Sequence, residues 1–132
     1  MFKIEPLNDA VRAEKIAKES GVEYKADFFF YHMYDMETGN TLGHSQFEIL
    51  GKEGYIYSLT PFPGVDDVEA MFILARQTMN FLEGCGAYEC YANPEIDNAL
   101  LKMAGFKSVD GRFFCNTKGM FDGHCGCKGD NK

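Results

Sequence analysis

Glu48, in the run TLGHSQFEIL, and Tyr57, in GYIYSLT, carry groups that could do chemistry. A strand glutamate can take the proton of an ammonium group as general base, and a tyrosine nearby can line a ligand pocket or donate a proton. Each has a plainer role as well. Charged strand residues mostly face solvent, and Tyr55 and Tyr57, two apart and so on one face of their strand, would serve equally as sheet packing. His32 and His44 face each other directly if Asp35 pairs with Thr41 across METGN, whereas a one-residue slip would separate them by face. Two histidines can begin a metal site, but catalytic zinc usually takes a third protein ligand and none is set by spacing, so packing or surface hydrogen bonding competes with that role.

At the C-terminus, HCGC places His124, Cys125 and Cys127 together. Two thiolates and an imidazole suit zinc or another thiophilic metal, and Cys115 is the protein donor best placed upstream to complete four ligands, with water as the alternative. The two cysteines could instead form a strained, readily reduced disulfide. A tail without a site is the third reading.

The segment TPFPGVDDVEAMF, Thr60 to Phe72, joins a strand to a helix, where many α/β enzymes cradle a phosphate. Such a cradle needs backbone N–H groups aimed at an anion. Pro61 and Pro63 supply none, and Asp66, Asp67 and Glu69 put negative charge on the helix start. Ordinary capping explains the acids, and a rebuilt ligand site is the alternative.

At 132 residues and 45% hydrophobic, the chain suits one domain with a real core and is too short for two. Thirteen Lys and Arg against 20 Asp and Glu give a net charge of -7, which offers no basic field for nucleic acid or anionic lipid. No apolar run approaches membrane-spanning length and no leader-like start is present, so a cytoplasmic protein is expected. Five dispersed cysteines are an odd number and do not make a secreted disulfide framework.

The elements that must position these residues follow from periodicity. Residues 2–5 read as a short strand, and Asn8 as the cap of a helix carrying Val11, Ile16 and Ala17 that stops at Gly21. DFFFYHMYD and TLGHSQFEIL form a hairpin over METGN, and GYIYSLT continues the meander. From Asp66 to Glu83 the period changes: Val68, Met71, Phe72, Ala75, Met79 and Leu82 recur at three and four, predicting a helix that Gly84 ends. AYECYA is a strand; Asn93 then caps a helix with Pro94 at its first position and Ile96, Ala99, Leu100 and Met103 as its apolar stripe. FKSVDGRFFCNT closes as a hairpin over Asp110-Gly111. The order is β-α-β-β-β-α-β-α-β-β. The domain is read over 1–121 and the Cys/His tail over 122–132.

That order, with DMETGNTLGH and its Gly43, FLEGCGAYECYAN, and NPEIDNALLKMAGFK in sequence, resembles the GNAT acetyltransferase superfamily. The resemblance implies an α/β (α+β) fold on a mixed, mostly antiparallel central sheet with about three helices, splayed between the fourth and fifth strands. It implies acetyl-CoA or another acyl-CoA in the cleft, near Leu59, Gly64, Val65 and Asn93, and a small amine approaching from the other side, where Glu48 or Tyr57 would assist deprotonation. Two departures accompany it. The family's Arg/Gln-x-x-Gly-x-Gly/Ala loop is replaced by PFPGVDDVEA, which keeps only Gly64, and the tyrosine four residues before the Gly-Phe is Leu101. The expected function is therefore a divergent acyl-CoA N-acyltransferase or acyl-CoA-binding protein, and the alternative a non-catalytic module binding a small ligand, a metal or a protein. A homodimer is compatible with either; nucleic acid and membrane are not expected partners.

Overall fold

The computed structural model describes residues 1–121. Ten elements follow one another: β1 (Phe2–Pro6), α1 (Ala10–Glu19), β2 (Phe29–Asp35), β3 (Thr41–Leu50), β4 (Glu53–Pro61), α2 (Val68–Gly84), β5 (Glu89–Ala92), α3 (Asn98–Ala104), β6 (Lys107–Val109) and β7 (Arg112–Asn116). They form one seven-stranded sheet in the order β1-β2-β3-β4-β5-β7-β6. Only the β4–β5 pair is parallel. The expected element order and sheet type are both present.

Alternation along the strands decides which face each helix covers. Tyr31, Met33 and Phe47 join Leu74, Met79 and Leu82 of α2 and Leu100 and Leu101 of α3 in the main core. Phe30, one residue out of phase, packs with Ala13, Ile16 and Ala17 of α1 in a smaller core on the opposite face. Gly43 is one place where α2 and β4 crowd β3: a Cβ there would lie 2.9 Å from the Thr60 carbonyl oxygen and 3.1 Å from Met71 Sδ. The Asp110-Gly111 turn is as expected, with φ of 53° and 77°, the left-handed pair that a type I′ two-residue hairpin turn requires.

Several local readings are corrected. Asp9, not Asn8, caps α1, because its carboxylate accepts the Arg12 N–H at 3.2 Å. Val11 is 81% exposed and lies off the apolar face of that helix. Asp67 caps α2 by accepting the Ala70 N–H at 3.0 Å, so the helix starts at Val68 rather than Asp66. The helix expected from Pro94 starts at Asn98, capped by Asp97, since Asn93 Oδ1 takes the Glu95 N–H in a turn instead. The buried face of α3 is accordingly Leu100, Leu101 and Ala104, while Ala99 is exposed and Met103 is 49% exposed.

Candidate functional site: the free end of β4

β4 and β5 run together only from Glu53↔Glu89 to Ile56↔Ala92. Beyond that point the strands part. Asn93 holds the fork: its N–H donates to the Ile56 carbonyl at 2.9 Å and its Nδ2 to the Tyr57 carbonyl at 3.1 Å. On the other edge, β3 pairs Gln46 with Ser58 and Phe47 with Ile56, leaving Tyr57 as the extra residue of a bulge. The bulge bends the strand and shifts the side-chain phase past it. Ser58, Leu59 and Thr60 therefore keep β3 as a partner but have none on β5.

Two hollows flank this free end. Leu59 looks toward α2 and α3, into a hollow of about 210 Å³ whose walls include Val65, Met71, Leu100 and Met103. Asp66, Asp67 and Asp97 also line it. Ser58 and Thr60 belong to the other, of about 190 Å³, with Tyr57, Asn93, Glu23, Glu95 and the Gly21–Val22 turn. Each volume suits a small ligand or one arm of a longer one.

Beneath the second hollow lies a buried polar network. Gln46 Nε2 donates to Ser58 Oγ and to the Glu23 carbonyl, both at 3.0 Å, while its Oε1 accepts the Lys25 N–H at 2.7 Å. His44 Nε2 lies 3.3 Å from Ser58 Oγ, and the ring stacks on Phe30 with centroids 4.9 Å apart. Burial holds His44 neutral by lowering its pKa to about 4. His32 lies directly opposite His44, although Thr41 pairs with Tyr34 rather than with Asp35 as that facing was expected to require. Its Nε2 is hydrogen-bonded to Thr41 Oγ1 at 2.9 Å, and burial lowers its pKa too. The two rings are engaged in separate hydrogen bonds and do not converge on a common point.

The expected site residues are distributed unevenly. Leu59 and Val65 line the first hollow, and Tyr57 and Asn93 the second. Gly64 makes the turn between them and the helix, at φ 88°, and lines neither. Tyr57 is braced by Phe28, edge-on at 6.0 Å, and by Lys25 Nζ 4.7 Å above its ring. Glu48 opens onto a separate depression with Tyr55, Tyr91 and Arg112, so the structure does not bring it together with Tyr57. Cys115 is buried opposite Cys90, its Sγ 4.0 Å from Met120 Sδ, and burial raises its thiol pKa. His124, Cys125 and Cys127 lie outside the described residues, and among the described residues no group of three or more His, Cys, Asp or Glu is placed to hold a metal ion. No helix among them is long and apolar enough to cross a membrane.

The fold has counterparts in solved structures. The chain matches the ribosomal-protein-S18-alanine N-acetyltransferase of Escherichia coli with a TM-score of 0.66 at 15% identity, over 86% of this chain and 89% of that one. It matches PaiA N-acetyltransferase of Thermoplasma acidophilum, in complex with coenzyme A, with a TM-score of 0.64 at 15% identity over 86% and 96%. This chain has the GNAT fold. A third GNAT-like structure, the N-acetyl transferase YhhK of Escherichia coli bound to coenzyme A, matches at 0.53 and 15% over 88% and 98%. No family model matches the sequence, and no curated protein does.

Within the GNAT fold, the junction after β4 fits only part of an acyl-CoA. The apolar walls around Leu59 suit a thioester arm. A diphosphate there would meet a loop with part of its amides absent or committed: Pro61 and Pro63 have none, Phe62 N–H donates to the Leu42 carbonyl and Val65 N–H to the Phe62 carbonyl, each at 2.9 Å, and the Asp67 carboxylate takes the Ala70 N–H, which leaves the N–H groups of Gly64, Asp66 and Asp67 without an acceptor among the described residues. Three aspartates add repulsion. Leu101, at the position of the expected tyrosine, is fully buried in the core.

The Ser58-Gln46-His44 network was not anticipated. Its one sequence signal was His44 and Gln46, polar and two apart, in a strand otherwise rich in apolar residues. What buries them is the covering segment around Glu23 and Lys25, which alternation alone does not announce.

Proposed function

We propose that this protein binds an acyl thioester in the hollow beside Leu59 and presents it across the free end of β4 to a small amine held beside Tyr57 and Ser58, as a divergent N-acyltransferase or acyl-thioester-binding protein. The observation that carries this reading is the fork itself, with an apolar hollow on one side of an unpaired strand edge and a polar one on the other. The GNAT fold supports acyl transfer as the reaction class. The chain's own contributions would be positional: Asn93 holds the strands apart, and Tyr57 walls the amine side.

Titration with acetyl-CoA, followed by amide NMR of the intact protein, tests this. Binding weaker than about 100 μM, or about 5.5 kcal/mol of binding free energy, is expected from a loop that contributes little to the diphosphate. Low-micromolar binding would contradict the reading of the junction. If millimolar thioester perturbs none of Leu59, Leu100 and Met103, the second reading stands: a non-catalytic ligand-binding module, favoured by the buried Leu101 where a proton donor would be needed.

A further inference from the structure

The polar hollow contains a hydroxyl whose hydrogen has nowhere to go inside the protein. Gln46 is fully buried and its orientation is determined, because the Lys25 N–H can only be met by an oxygen. Its other terminal atom is thus the NH2 group, and Ser58 Oγ accepts from it. His44 Nε2 is the second neighbour of that oxygen, and His44 Nδ1 is buried without a partner. If Nδ1 carried the ring hydrogen, a buried N–H would be orphaned; with the hydrogen on Nε2, only a lone pair goes unmatched. Orphaned buried N–H groups are the rarer of the two in folded proteins. The ring therefore donates to Ser58 as well, both acceptor positions of the hydroxyl are filled from within, and its own hydrogen is spare. Ser58 is only 3% exposed, and its open side is the hollow.

The rim adds a charge preference. Glu23 and Glu95 line it, and Lys25, 3.8 Å from Glu23, balances only one of them. We propose that Ser58 donates its O–H to a neutral oxygen acceptor of the bound amine, so that the hollow selects an ammonium compound carrying an amide oxygen over a plain alkylamine. This rests on the assignment of that hollow to the amine and names its substrate class. A free carboxylate in place of the amide would face the unbalanced glutamate.

Amide NMR titrations of the full chain with glycinamide and with propylamine test it. Glycinamide is expected to shift Tyr57, Ser58 and Asn93 and to bind at least fivefold more tightly than propylamine, with the difference removed in Ser58→Ala. Equal affinity in the unsubstituted protein, or no binding of either amine, overturns the proposal. Should Ser58→Ala unfold, the nitrogen shifts of the His44 ring in the unsubstituted protein decide instead: hydrogen on Nε2 supports the assignment and hydrogen on Nδ1 overturns it. The thioester titration is separate, so a protein that binds acetyl-CoA but not glycinamide refutes this inference alone.

Discussion

Ser58 and Leu59 are adjacent on β4, yet they open onto hollows built by different means. Around Leu59 the walls are ordinary core side chains from α2 and α3, and the polar groups are three aspartates, two of which cap those helices. Around Ser58 the wall is a chain of buried hydrogen bonds running from the covering segment at Glu23 and Lys25 through Gln46 to the hydroxyl and the His44 ring. The first hollow is held by packing, which tolerates change at its exposed rim. The second is held by hydrogen-bonded polar groups, which do not tolerate losing a member. One side of a fold's cleft can thus lose its anion contacts while the other keeps a specified chemistry.

The sharpest way to break this contrast is Gln46→Leu, which strands the Lys25 N–H, the Glu23 carbonyl and Ser58 together. A loss of about 1–3 kcal/mol in urea unfolding is expected from the buried Ser58 and the part-buried Lys25 N–H and Glu23 carbonyl left without their amide partner. The same variant should leave thioester affinity within about twofold once folded. A loss under about 1 kcal/mol would mean that water replaces the amide at little cost.

Leu101→Tyr tests the packed side. Because Leu101 is fully enclosed, the added ring and hydroxyl should destabilise by about 1–3 kcal/mol and not raise acyl transfer above that of the unsubstituted protein. A stable variant with new transferase activity would place position 101 in the cleft rather than in the core.

The network should also give stability a pH dependence. His44 has a folded pKa of about 4, below the ordinary value of 6.5. The unfolded chain therefore binds the proton more readily, and stability falls as pH drops through the window from 6.5 toward 4. Between pH 7 and pH 5 the His44 contribution to this loss is about 2 kcal/mol. His32, lowered in the same direction by burial, adds to it. Chemical denaturation at the two pH values checks this, and His44→Gln should flatten the slope. An unchanged slope would assign the effect elsewhere.

The smallest effect is expected at the acidic rim. Asp66→Asn with Asp67→Asn keeps a capping side chain and removes two charges, each worth about 0.3–1 kcal/mol near a helix start. Acetyl-CoA affinity should rise about threefold to tenfold, measured by the same NMR titration. No change would put the obstacle in the backbone geometry of the loop instead.

The ten elements were legible because each carries its own period or turn: the three-and-four spacing from Val68 to Leu82, the alternation in the meander, Asp110-Gly111 between two short strands. The facing of His32 and His44 was legible too, although a bulge between Met33 and Tyr34 brings Thr41 opposite Tyr34 rather than Asp35. What resisted was set by contacts between elements. Nothing in GYIYSLT marks Tyr57 as a bulge, since that depends on how β3 pairs with its neighbour. Asn93 has the sequence of a helix cap, but its amide is used to hold the Tyr57 carbonyl. Met103 sits at the spacing of a core residue and instead forms a pocket wall.

The central claim is that the cleft accepts the thioester arm and gives the diphosphate no hold. Comparing acetyl-pantetheine with acetyl-CoA, by NMR titration of the same protein at the same ionic strength, addresses it directly. Acetyl-CoA should bind about threefold to tenfold more weakly than acetyl-pantetheine, a difference of about 0.7–1.4 kcal/mol set by the aspartate repulsion. Acetyl-CoA binding tenfold or more tightly than acetyl-pantetheine, about 1.4 kcal/mol, would show that the loop after β4 holds the diphosphate after all and would contradict the account.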